Sequence, residues 1–189
     1  MTDADAKQTL LRELREHALL IGEVTLSSGQ KAGYYVDARR ALLRPAGFTA
    51  AGRLIAAAAT EAGAVAVGGP VMAAIPLACA AIAVPGGEGL VGFFVRKQRK
   101  EHGLQRWIEG PVEPGQRCLV VEDTVTTGGS TVAAIERIRE EGLEIAAALS
   151  IVDRLAGGGE AIAEAAGAPY RALVTIDELY PERPDRAGG

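Results

Sequence analysis

Cys118-Leu119-Val120-Val121-Glu122-Asp123-Thr124-Val125-Thr126-Thr127-Gly128-Gly129-Ser130-Thr131 is the stretch on which the rest of the chain is organised. Leu119 to Val121 is a short apolar run rich in β-branched residues, which reads as a buried strand. Two carboxylates, Glu122 and Asp123, follow at once. Hydroxyls and paired glycines come next, and an alternating Val/Ala/Ile pattern then predicts a helix from about Thr131 to Glu141. This order of strand, acidic pair, hydroxyl-and-glycine loop and helix N-terminus makes a phosphate site. Backbone N–H groups at a helix start carry partial positive charge, and glycine lets the backbone approach an anion closely.

The carboxylates cannot themselves hold phosphate. They suit sugar hydroxyls or a hydrated Mg²⁺ beside it. An acidic pair at the C-terminal end of a buried strand is costly without such a match. A Walker loop would need Gly-x-x-x-x-Gly-Lys-Ser/Thr, and no lysine is present here. A dinucleotide fingerprint, Gly-x-Gly-x-x-Gly, is absent too. The ligand is therefore read as a phosphorylated sugar. The stretch resembles the 5-phosphoribosyl-1-pyrophosphate (PRPP) motif of the type I phosphoribosyltransferases. That resemblance implies that Glu122 and Asp123 hold the ribose hydroxyls, with Mg²⁺ bound near them through PRPP and water rather than directly. It also implies PRPP contacts along Thr124, Val125, Thr126, Thr127, Gly128, Gly129 and Ser130, with the 5′-phosphate on Thr126 to Ser130.

At 189 residues the chain is expected to form one domain with a sizeable core. A net charge of −4 argues against general nucleic-acid binding, so any basic cluster must be local. Cys79 and Cys118 sit in apolar surroundings and read as buried free thiols. Their separation fits neither zinc nor a disulfide framework, and a reducing cytoplasm is expected. Met1 to Lys7 is polar and acidic, unlike a signal peptide. Ala62 to Gly87 carries no charge and is long enough to span a bilayer. Its glycines, prolines and alanine-rich composition read instead as a buried strand, a turn and a packed helix, so no membrane association is expected.

Taken in order, the chain opens with Leu10, Leu11, Leu14, Ala18 and Leu19 at helical spacing, which predicts an amphipathic helix over Asp3 to Ile21. His17 within it reads as a surface or packing residue. Two β-patterned runs then flank Ser27-Ser28-Gly29-Gln30, as in a hairpin, and the second ends in Tyr34-Tyr35-Val36-Asp37. By itself the tyrosine pair suits packing. The segment is similar, however, to the hood of orotate phosphoribosyltransferases, which implies that Tyr34 and Tyr35 lie beside the orotate ring. Ser27 stands where many members carry lysine, and Lys31 does not fill that slot.

Pro45 to Ala62 is predicted as a helix with proline in its first turn, and Val65 to Gly68 as a strand. Gly69 to Pro76 resembles the family's pyrophosphate loop, with Ala73 in place of a frequent lysine and Ala74 in place of a glycine. Pyrophosphate contacts at Val71 to Ala73 are therefore expected from the backbone. Leu90 to Val95 is predicted as a strand. After it, Arg96 to Gly110 has no periodicity, yet it gathers five basic residues and His102 in an otherwise acidic chain. A loop of that length is functional or disordered. Arg96-Lys97-x-x-Lys100-x-His102-Gly103 resembles the catalytic flap of orotate phosphoribosyltransferases. The resemblance implies that Arg96, Lys97, Lys100 and His102 neutralise the departing pyrophosphate. It also implies a homodimer with shared active sites, because family flaps cross to the neighbouring subunit.

Ile145 to Val152 is predicted as a strand ending in Asp153-Arg154. A structural ion pair and a ligand role both remain open from sequence alone. The resemblance assigns Arg154 to the orotate carboxylate, a role that suits a bidentate guanidinium, and has Thr126 touch orotate as well. Glu160 to Ala166 is predicted as a short helix, Ala172 to Thr175 as a last strand, and the tail from Tyr180 as frayed. The alternation predicts an α/β domain with a mainly parallel central sheet flanked by helices. The hood is expected mainly within residues 1–40, the core within about 45–176 and the tail at 180–189. The resemblance implies transfer of the phosphoribosyl group from PRPP to orotate, giving orotidine 5′-monophosphate and pyrophosphate with Mg²⁺, in pyrimidine biosynthesis. Two alternatives stay open: a phosphoribosyltransferase for another base, and a PRPP-sensing regulator of the same fold.

Overall fold

A computed structural model describes residues 1–25, 31–98 and 106–186. Ser27, Lys100 and His102 lie outside the described residues. Nine-residue strand β6 (Arg117–Val125) is the centre of the molecule. Cys118 and Val120 point to one face of the sheet, Leu119 and Val121 to the other, and all four are buried. Burial on both faces is why this strand reads as a continuous apolar run instead of an alternating one.

The six-stranded sheet has the order β5-β4-β3-β6-β7-β8. Its members are β3 (Ala66–Pro70), β4 (Val91–Val95), β5 (Ile108–Glu109), β6, β7 (Glu144–Asp153) and β8 (Tyr170–Thr175). All neighbours are parallel except the short edge pair β4–β5. Helices α1 (Asp3–Glu13), α3 (Pro45–Ala62) and α4 (Ala74–Ala83), with the short α2 (Arg39–Leu42) leading into α3, cover one face, where Leu10, Ile55 and Leu77 pack on Leu119, Val121 and Leu149. Helices α5 (Gly129–Glu140) and α6 (Gly158–Ala166) cover the other, where Ile135, Ile138 and Ile162 meet Phe93, Cys118 and Val120. Each such side chain buried from water is worth about 1.5–3 kcal/mol. The chain leaves β3 in one direction along the sheet and returns to lay β6 on its other side, so strand order reverses between them. A crevice opens at such a switch point, outside the carboxyl ends of the strands. Gly69 is required there, because any side chain would run into the carbonyl of Val121.

Several expectations are corrected. The first helix does not reach Ile21: it ends at Glu13, a π-helical turn spans Leu14–Ala18, and β1 runs over Leu19–Thr25. Leu19 to Ile21 instead pair with Tyr34 to Val36 of antiparallel β2 (Lys31–Val36), where β-sheet partners outweigh the continuing helical spacing. Gly22, at φ 141°, lies in the register shift that follows. Cys79 is exposed, on the outer side of α4; Cys118 is buried, and burial pushes its thiol up to about 12. The described part of the tail does not fray. After α7 (Ile176–Leu179), Tyr180 packs its ring edge-on against Tyr34 at 5.4 Å, and Arg183 lies 2.9 Å from Asp177. No described helix is long and apolar enough to cross a membrane.

Candidate active site

The strand end holds the acidic pair inside β6 itself, since β6 runs on through Val125. The two carboxylates part ways there. Glu122 turns back into the protein, 6% exposed, and accepts hydrogen bonds of 3.1 Å from the Ser130 and Thr131 hydroxyls. Burial, and next the neighbouring Asp123 charge, raise its pKa to about 7. Asp123 turns outward and lines a crevice at the strand ends. Burial raises its pKa too, with Asp37 pushing the same way and Arg39 opposing. Such a carboxylate is a ready partner for hydroxyl donors or a hydrated cation.

Beyond β6 the loop tightens around Gly128, which sits at φ 76° and caps α5 with its carbonyl taking the Val132 N–H at 2.9 Å. A Cβ there would meet the Gly158 carbonyl oxygen, so α6 and the loop fit only with glycine. Thr126, Thr127, Gly129 and Ser130 are exposed at the N-terminus of this twelve-residue helix. α5 thus starts two residues earlier than periodicity suggests, and its free N–H groups give that end the partial positive charge that suits an anion.

The crevice has a volume of about 460 Å³. Asp123, Thr124 and Thr126 form one wall, Val71, Met72 and Ala73 another, and Tyr35, Lys97 and Arg154 complete it. The Val71 N–H is already given to the Val95 carbonyl at 3.0 Å. Backbone contacts to a bound anion therefore fall to the amides after it, at the start of α4. Arg96 stands apart from this crevice, its guanidinium 3.2 Å from Glu109, in a groove it shares with Lys97 and Met72.

Tyr35 faces the crevice, whereas Tyr34 is 3% exposed behind it. The Tyr34 hydroxyl accepts from the Arg154 guanidinium at 3.3 Å, and the guanidinium carbon lies 5.3 Å from the Tyr34 ring centre. Asp153 does not pair with Arg154. It accepts from the Tyr170 hydroxyl at 2.9 Å and the Leu155 N–H at 2.7 Å, which leaves Arg154 free to face the crevice.

Sequence reasoning missed Asp37 and Arg39, which line the crevice and bond each other at 2.9 Å. The available signal was an acid and a base immediately after a strand whose preceding residues already pointed to a ligand.

The ends of the basic loop are fixed on α5. Arg96 N–H donates to the Trp107 carbonyl at 2.9 Å, and Arg137 donates to the Arg96 carbonyl at 2.8 Å. Arg137 also stacks on the Trp107 ring at 4.2 Å, while the Trp107 backbone and indole N–H groups donate to Glu141 and Glu140. One helix thus opens its first turn at the crevice loop and ties its last turn to the root of the basic loop.

The chain matches the phosphoribosyl transferase domain family over residues 40–166. It is 44% identical over 177 residues to an orotate phosphoribosyltransferase of Corynebacterium glutamicum, covering 94% of this chain and 95% of that relative. Among solved structures it is similar to Mycobacterium tuberculosis orotate phosphoribosyltransferase in complex with Fe(III) dicitrate, with a TM-score of 0.84, 40% identity and coverage of 93% and 99%. The same mycobacterial protein in complex with PRPP superposes with a TM-score of 0.79 at 37% identity, covering 92% and 98%.

Proposed function

The chain belongs to the orotate phosphoribosyltransferase family, and from that membership we propose how its residues divide the work of the reaction. The reaction joins PRPP and orotate into orotidine 5′-monophosphate and pyrophosphate, a step of pyrimidine biosynthesis. The C1–O bond breaks and its electron pair leaves with pyrophosphate; N1 of orotate supplies the pair for the new C1–N1 bond, and the N1 proton is released. The observation that carries this reading is one crevice lined by Asp123 and Thr126 together with Arg154, Tyr35 and Lys97. A sugar-phosphate end and a planar-acid end face the same volume.

Thr126 to Ser130 take the 5′-phosphate on the α5 N-terminus, with Thr124 and Val125 forming the strand edge beside the ribose. Asp123 accepts the ribose hydroxyls, and its charge favours the cationic sugar that develops as C1–O lengthens. Glu122 fixes Ser130 and Thr131, and so holds the loop in register. Arg154 takes the orotate carboxylate, with Tyr35 and Thr126 beside the ring. Tyr34 supports from behind rather than touching the base. Lys97, with Arg96, Lys100 and His102, meets the pyrophosphate. Preorganised charge of this kind is worth about 2.7–4 kcal/mol per donor.

The residues fit Mg²⁺ held through PRPP and water. Asp123 is outward-facing and strained by burial and by Asp37, so a nearby cation relieves it. Bound Mg²⁺ supplies charge neutralisation of the pyrophosphate. The working unit is a homodimer with shared sites, in the cytoplasm.

Orotate loss measured with and without PRPP and Mg²⁺ tests the reaction. Turnover should require all three, and uracil, which lacks the carboxylate, should be a far poorer acceptor. Equal turnover of uracil and orotate would overturn the role of Arg154. Refolding a mixture of Lys100→Ala and Asp123→Ala chains tests the shared site. Hybrid dimers should then carry one intact site, so roughly a quarter of wild-type activity should return. No recovery despite proven hybrids would mean that each loop serves its own subunit.

A further inference from the structure

The C-terminal segment after α7 closes on the back of β2 through a chain of contacts that ends at Arg154. Tyr180 packs edge-on against Tyr34, with interplanar angle 81°, and Gly33 lies so close to Pro184 that a Cβ there would be 3.5 Å from it. The Tyr34 hydroxyl donates to Asp185 at 3.0 Å and accepts from Arg154 at 3.3 Å. Donor and acceptor directions run consistently from guanidinium to phenol to carboxylate. Arg183, 11% exposed at its side chain, is 2.9 Å from Asp177 and 3.7 Å from Asp185, so the segment is anchored to α7 as well. Arg154 itself leaves β7 with its N–H bound to the Val125 carbonyl, and its side chain reaches the crevice while donating to the Tyr34 hydroxyl.

We propose that Tyr34 and Asp185 are positioning residues: the C-terminal segment holds Tyr34, and Tyr34 sets the guanidinium of Arg154 at the angle that reads the carboxylate of the base. The proposal rests on the assignment of Arg154 to that carboxylate. A long guanidinium side chain has many rotamers, and a fixed one loses less freedom when a planar acid binds. The segment therefore contributes to base selection without touching the base. Its sequence distance from the crevice hides this, since Asp185 and Tyr34 are 151 residues apart.

Steady-state kinetics of the full chain with orotate, uracil and PRPP test it, alongside thermal melting. Tyr34→Phe keeps the ring on Tyr180 and removes only the hydroxyl; Asp185→Ala removes the acceptor at an exposed position. Each should raise KM for orotate about fivefold, the net worth of one ordinary hydrogen bond, and lower the preference for orotate over uracil. KM for PRPP should move by less than about twofold. Asp185→Asn keeps an acceptor oxygen and should restore the KM for orotate. In an Arg154→Gln background, Tyr34→Phe should add nothing further, because the group it positions is gone. If Tyr34→Phe and Asp185→Ala leave KM for orotate unchanged while Arg154→Gln raises it, the positioning role is wrong and the assignment of Arg154 stands. A full additional effect of Tyr34→Phe on Arg154→Gln also overturns the proposal. If Arg154→Gln itself leaves KM for orotate unchanged, the carboxylate assignment falls and the positioning role with it.

Discussion

The two ends of the crevice are built in opposite ways. The end proposed for the sugar phosphate comes from one continuous stretch, Glu122 to Thr131, in which strand, loop and helix follow without interruption. The end proposed for the base is assembled from Tyr35 on β2, Arg154 after β7 and, behind them, Asp185 near the C-terminus. A local device is robust to what happens elsewhere and treats every PRPP alike. An assembled one depends on distant packing, and it is where a base can be chosen.

Four substitutions sharpen that contrast, from the greatest effect to the least. Asp123→Asn should lower turnover about 10³-fold with any base, since it removes charge at the sugar and nothing at the ring. A variant that melts normally yet keeps its rate would break the assignment of the sugar end. Glu122→Gln acts on stability in the ligand-free protein. Folded Glu122 holds its proton up to about 7, while its ordinary value is 4.5. Between those values the folded state binds more protons than the unfolded one, so stability falls as pH rises through that window, by about 3 kcal/mol at most. Melting curves at pH 5 and pH 8 should separate for the wild type and converge for Glu122→Gln; parallel curves for both would mean that Glu122 ionises as freely folded as unfolded.

Arg154→Gln should act on the other end, raising KM for orotate about 10–100-fold while leaving KM for PRPP nearly fixed. Equal rises in both constants would erase the distinction between the two ends. Gly128→Ala is the mildest change. Its left-handed backbone and the Gly158 carbonyl oppose a side chain, so stability should drop by about 1–3 kcal/mol and PRPP affinity with it. Unchanged melting would show that the loop has room to move away from α6.

The same contrast decides what could be read from sequence. The helix Pro45–Ala62 and the strand–acid–glycine–helix order need only local periodicity and local chemistry, and both stand as expected, with β6 longer and α5 earlier. Arg154 and Tyr35, singled out by the resemblance, line the same crevice as Asp123 and Thr126. Local signals failed where long-range partners decided. Leu19 to Ile21 kept helical spacing but paired with β2, and the polar, proline-bearing tail carried no periodic pattern to announce its docking on Tyr34. Tyr34 and Tyr35 were indistinguishable by type; alternation along β2 sends one inward and the other to the crevice. Nothing adjacent to Glu122 in sequence revealed that it would face Ser130 and Thr131 instead of the cavity.

Trp107 gives the helix between these regions an optical use. It is the chain's sole tryptophan, and its indole is stacked by Arg137 and tied to Glu140 on the last turn of α5. The first turn of that helix, about 18 Å away along twelve residues, is where phosphate is expected to sit. The protein thus carries one indole fluorophore, which can be excited apart from its four tyrosines, at the far end of α5. Its emission can follow PRPP binding by titration without any attached label, in wild type and variants alike.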